Sequence, residues 1–120
     1  MLSIIITKYI AENMPDLTTG KNLFTENSTG NQCVAVITRD LTPWPGMPQS
    51  FRKALIEVEV KGYRMAEANA LSEAILVLLE GMQSVYETVS IRTVEAKQLP
   101  CFQHDGTCTC TFRVFFVEGE

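Results

Sequence analysis

One stretch limits the folds open to this chain more than any other: residues 63–81, reading Y-R-M-A-E-A-N-A-L-S-E-A-I-L-V-L-L-E-G. Its apolar residues Ala68, Leu71, Ala74, Ile75, Leu78 and Leu79 recur at three- and four-residue steps, which winds them onto one stripe of a helix. Arg64, Glu67, Ser72, Glu73 and Glu80 fall largely on the other side. Ala, Leu, Met and Glu are strong helix formers, and no proline interrupts them. Gly81 supplies a C-terminal stop, because glycine turns left-handed without steric cost. About 18 residues at roughly 1.5 Å each make a rod of about 27 Å, long enough to span a small domain. Burying its six apolar side chains contributes on the order of 10 kcal/mol before chain entropy is subtracted. The segments on both sides read as strands, so the helix is expected to lie across a sheet.

A length of 120 residues predicts one domain. Such a domain buries roughly two thirds of its unfolded surface, enough to fold without disulfides or metal. The net charge is −4 and no basic run stands out, which argues against nucleic acid as the main partner. No apolar run approaches the roughly 18 residues of a membrane span, so no membrane partner is expected. Lys8 follows the opening isoleucine run instead of preceding it, the reverse of a signal peptide. The four cysteines are accordingly expected as reduced thiols in a cytosol.

Leu2, Ile5, Ile6, Tyr9 and Ile10 predict an amphipathic helix over residues 3–13, ended by Pro15. Residues 15–32 are rich in turn formers, with Leu23 and Phe24 pinning the loop to the body. Residues 33–39 read as a short apolar strand, and residues 40–52, with Trp44 among Pro43, Pro45 and Pro48, as an irregular loop. Residues 53–61 alternate: Ala54, Ile56, Val58 and Val60 face one way, Lys53, Glu57, Glu59 and Lys61 the other, with Leu55 out of phase. Residues 88–97 and 108–118 are further strands, separated by a loop containing Pro100 and the turn signal Asp105-Gly106. The expected order is α-β-β-α-β-β. The expected fold class is α+β: a two-layer sandwich, with a four-stranded, mainly antiparallel sheet under a long central helix.

Chemical signals are sparse, and no cofactor, metal or catalytic residue is assigned. Cys108-x-Cys110 has the wrong spacing for a zinc site and fills one strand face. Cys33 and Cys101 read as lone buried thiols. His104, the single histidine, adjoins Asp105 in a turn, where neighbours in sequence orient each other poorly for catalysis. Glu57 and Glu59 mimic a carboxylate pair, but the lysines around them favour a solvated, mixed-charge face. Trp44 among prolines has two readings: a loop tucked onto its own core, or an aromatic anchor for a partner. Phe115 and Val117 lie opposite the main apolar row of the last strand. Either the N-terminal helix or a neighbouring subunit would cover them.

Taken whole, the chain resembles the tail terminator, or minor capsid, proteins of long-tailed bacteriophages. The resemblance is carried by the N-terminal helix, N-L-F at 22–24, V-A-V-I-T-R-D at 34–40 and a Pro/Gly loop. It continues through A-L-I-E-V-E-V-K-G-Y at 54–63, the M-A-E-A-N-A-L-S-E-A-I-L-V-L-L helix, V-S-I-R at 89–92, Asp105-Gly106 and a closing R-V-F-F-V. Asp40-Leu41-Thr42 stands where the family usually has paired glycines. The resemblance implies a virion protein, assembled in the host bacterial cytoplasm, that forms a hexameric ring on the finished tail. Its implied partners are copies of itself, the tail tube protein and a head connector or completion protein. DNA would pass through the ring without sequence-specific binding. Loops 40–52 and 98–107 would be the docking surfaces, with Trp44, Met47, Phe102, His104, Phe115 and Val117 as contact residues. Two other readings stay open: another head–tail connector component, and a small oligomeric α+β domain that binds a ligand or is an enzyme.

Overall fold

The computed structural model describes residues 2–27, 32–48, 50–103 and 105–119. In chain order its elements are α1 (Leu2–Asn13), β1 (Leu23–Thr25), β2 (Cys33–Pro43), β3 (Phe51–Lys61), α2 (Met65–Leu79), β4 (Ser84–Tyr86), β5 (Val89–Phe102) and β6 (Thr107–Glu118). Among the described residues six strands form one mixed sheet in the order β1-β2-β3-β6-β5-β4, curled into a half-barrel with two helices. This corrects the expected two-layer sandwich: the four-stranded sheet, the α-β-β-α-β-β order and the long central helix lying across it. The two unforeseen strands are three residues each, too short for alternation to show. β1 pairs parallel to β2 inside a stretch of turn formers, and β4 pairs with the start of β5 just after Gly81.

Alternation in β3 sets the middle of the sheet. Ala54, Ile56, Val58 and Val60 are buried on one face, matched by Cys108, Cys110, Phe112, Val114 and Phe116 of β6. Val34 and Val36 of β2 and Val89, Ile91 and Val94 of β5 extend that face, and both helices pack on it. The helix α1 contributes Leu2, Ile5, Ile6 and Ile10, and it ends where Met14 N–H closes on the Ile10 carbonyl one residue before Pro15.

The stripe on α2 is rotated from the one hydropathy suggests. Its buried residues are Ala68, Ser72, Ile75 and Leu79, while Ala74 is exposed. Ser72 tolerates burial because its hydroxyl donates to Cys108 Sγ at 3.3 Å. Leu71 and Leu78 are half-buried at the flank. Past Leu79, the Glu80 N–H bonds the Leu76 carbonyl, and Gly81 at φ 77° turns the chain out of the helix.

Where the short strands β1 and β4 stop, a carboxylate takes the next backbone N–H of the long strand beside each. Glu26 adopts a left-handed conformation, φ 68°, at a cost on the order of 1 kcal/mol for a residue with a Cβ. That conformation brings its carboxylate to Thr38 of β2, which donates through Oγ1 at 2.6 Å and through N–H at 3.1 Å. Ser3 of α1 donates to the same group at 2.6 Å, tying helix to sheet. Beside it, Thr25 Oγ1 bonds Thr7 Oγ1 at 2.8 Å. On the other side of the sheet, Gly81 N–H bonds Val94 O at 2.8 Å, and Glu80 accepts from Ala96 N–H at 3.4 Å. The Thr38 and Ala96 N–H groups and the Val94 carbonyl, which lie past the ends of β1 and β4, are thereby occupied.

Burial works against the charge on Glu26, but the bonds from Ser3 and Thr38 outweigh it and hold its carboxyl below the ordinary range. A depressed folded value means this stabilisation is complete above the unfolded value, about 4.5, and is lost as pH falls through the folded one. Glu26→Gln should therefore cost stability at pH 7, limited by solvent screening to about 1 kcal/mol. The gap to the parent should shrink as pH drops below the carboxylate range. Urea denaturation of both proteins across pH 3–7 checks this. The orientation of α2 has its own test. Ser72→Leu should lose roughly 1–3 kcal/mol by overpacking, and Ala74→Gln should stay within about 0.5 kcal/mol of the parent. Thermal unfolding of the pair reads the difference.

Candidate functional site

Four of the six anticipated contact residues meet at one end of the sheet. β2 and β3 run on past the expected loop limits, to Pro43 and from Phe51, so the connection shortens to residues 44–50. Trp44 N–H donates to Phe51 O at 3.0 Å, Met47 N–H to Trp44 O at 3.2 Å and Phe51 N–H to Pro48 O at 2.9 Å. Gly46, at φ 77°, takes the left-handed position the turn needs. The indole of Trp44 packs on Phe115 with ring centroids 4.8 Å apart and on Phe51 at 5.8 Å, both tilted. Tilted aromatic pairs at these separations contribute about 0.5–1.5 kcal/mol each beyond their buried area. Val117 stands opposite Phe51 in the β3–β6 register and is sealed inside the protomer.

Trp44 is tucked onto its own sheet, half-buried, and still shows part of its ring. Phe115 and Val117 lie on the face away from the helices, so Trp44 and its turn cover them and α1 does not. The turn itself presents uncharged residues outward, Pro45, Met47 and Pro48 after Pro43, with Met47 43% exposed, and the Arg52–Glu118 ion pair lies beside it at 3.5 Å. Met and Trp are enriched at interface centres. Phe102 lies apart, at the other end of the sheet, paired in register with Cys108 and half-buried against the core. His104 lies outside the described residues.

The face away from the helices is otherwise polar. Glu57 is held by Arg39, whose Nε donates to it at 2.9 Å, and Arg113 reaches Glu95 at 3.2 Å. Thr109 of β6 accepts from Gln103, just past β5, and Thr111 donates to Gln98 of β5. Between β2 and β5 this face forms a cavity of about 110 Å³ lined by Asp40, Thr42, Lys53, Leu55, Lys97 and Arg113. Sequence reading missed both this cluster and Phe51. Extending the alternation of β3 two residues upstream puts Phe51 in phase with Lys53, a signal that was available. The cavity needs the sheet order, which no local pattern carries.

The thiols divide by burial. Cys33, Cys108 and Cys110 are buried, whereas Cys101 is exposed, contrary to the expectation of a buried thiol. Burial pushes the Cys110 thiol up to about 12, which makes it an inert core filler. Cys108 receives the Ser72 hydroxyl and lies 3.6 Å from Asn69 Oδ1. Among the described residues, no three His, Cys, Asp or Glu side chains are grouped to hold a metal ion. Also among them, no helix is long and apolar enough to cross a membrane.

In comparison with known proteins, no family model matches the chain, and no curated protein matches it.

Because Trp44 is half-buried against two rings, Trp44→Ala should destabilise by about 2 kcal/mol, less than a full core truncation. Trp44→Phe should recover most of that loss. Chemical denaturation followed by far-UV circular dichroism checks both variants.

Proposed function

We propose that this chain is a structural subunit that assembles with copies of itself into a ring. In that ring it caps the tail tube of a long-tailed bacteriophage and offers a surface to the head connector. The observation that carries the reading is the β2–β3 end: an uncharged, proline-braced turn locked onto Phe51 and Phe115. A turn fixed in this way loses little entropy on docking, which favours association. The residue pattern is the other motive for this reading, since the resemblance to tail terminators runs from residues 22–24 to the closing R-V-F-F-V. Head-to-tail contact that closes on itself yields a ring.

A small ligand-binding domain is the second reading. The cavity lined by Lys53, Lys97 and Arg113 is the observation that favours it.

Met47→Asp separates the two. Its side chain is exposed, so stability should stay within about 0.5 kcal/mol of the parent. A charge placed at an apolar docking point should abolish ring formation and tail capping. Analytical ultracentrifugation over a concentration series, with electron microscopy of tails made in the presence of each protein, reads the outcome. Tails of normal length capped normally by Met47→Asp would contradict the proposal.

A further inference from the structure

We infer that the cavity between β2, β3, β6 and β5 is a phosphate-binding site. Three cations, Lys53, Lys97 and Arg113, line it against one acid, Asp40, in a chain whose net charge is −4. They come from three strands. Leu55 beside Lys53 pairs with Arg113, and Arg113 pairs with Glu95, two residues before Lys97. Like charges gathered on neighbouring strands repel unless something offsets them. The chain offsets them only in part: Glu95 holds one side of the Arg113 guanidinium at 3.2 Å. Lys53 and Lys97 have no ion-pair partner among the described residues. Asp40 lines the cavity but turns one oxygen to its own neighbour, the Leu41 N–H, at 2.9 Å.

The backbone also departs from regularity on both sides of this spot. The β2–β3 register shifts between Thr38 and Asp40, and the β5–β6 register shifts between Ala96 and Gln98. Such bulges re-aim side chains, and here the residues beside them, Asp40 and Lys97, reach the same cavity. About 110 Å³ holds a small oxyanion and excludes a drug-sized ligand. Lysines act on phosphate as point charges, while the free side of Arg113 and the Thr42 hydroxyl can donate to its remaining oxygens. The same group could come from free phosphate or from a nucleic-acid backbone. The site does not depend on the tail-cap reading.

The test is a backbone amide chemical-shift titration of the full chain at low salt, once with inorganic phosphate and once with a short DNA duplex. Saturable shifts centred on Thr42, Lys53, Lys97 and Arg113 are expected. Saturation by phosphate with no tighter binding of duplex assigns a small free anion. Tighter duplex binding that weakens steeply with salt assigns backbone phosphate. Lys53→Gln and Lys97→Gln should each weaken binding about tenfold, and Asp40→Asn should tighten it several-fold. Absence of saturable shifts at these amides with both probes, to tens of millimolar phosphate, would overturn the inference. So would lysine variants that stay folded by thermal melting and bind as the parent does, or an Asp40→Asn protein with unchanged affinity.

Discussion

The ladder between β3 and β6 is the constraint on which the rest depends. It runs from Phe51↔Val117 to Lys61↔Thr107 without a register shift, whereas the β2–β3 and β5–β6 ladders each contain irregularities. Its partners lie 46 to 66 residues apart in sequence, so its closure brings the two halves of the chain together. Loop-closure entropy opposes such pairing, and burial of the facing apolar rows offsets it. One side of the ladder then supplies part of the floor for α2, and α1 packs beside it on β1 and β2. The other side begins with the Trp44 aromatic cluster and continues through the cationic cavity. Position on either face follows from a single register: a one-residue slip would exchange Val58 and Phe112 with Glu57 and Arg113.

Charge is distributed with the same economy of position. Glu26 and Glu80 sit toward the two flanks of the sheet, and each accepts from one strand N–H, of Thr38 and Ala96. The face between them is mixed in charge: Arg39 pairs with Glu57 and Arg113 with Glu95, while Lys53 and Lys97 line the cavity with Asp40. Composition argues against nucleic acid as the main partner, but a net charge of −4 does not describe the cavity itself. Net charge is a sum over the chain, and a binding site responds to the field within about 10 Å of it.

Much of the local structure is legible in the sequence. Alternation identifies the faces of β3 and β6, helical spacing identifies α1, and Gly81 marks the exit from α2. Three features resist local reading, each for a physical reason. β1 and β4 are too short to show a period and exist because a longer strand offers them backbone partners. Ser72 looks like a solvent-facing residue until Cys108 supplies its hydrogen bond. Pro100 signals a break, but β5 continues through it to Phe102 because the strand is irregular there and lies near the edge of the sheet. Within the candidate site, Trp44, Phe115 and Val117 stand out in sequence as apolar residues with no evident cover. That they cover one another depends on the sheet order.

The central claim is that a continuous β3–β6 ladder holds the Trp44 turn rigid, as a preformed docking surface. Native-state hydrogen exchange of the free protein tests it most directly. Amides along β3 and β6 should exchange only through global opening, and the Phe51 and Trp44 amides, which close the turn, should be protected nearly as well. Exchange of Trp44 and Phe51 as fast as in an open loop, with slow exchange confined to α2, would contradict the account.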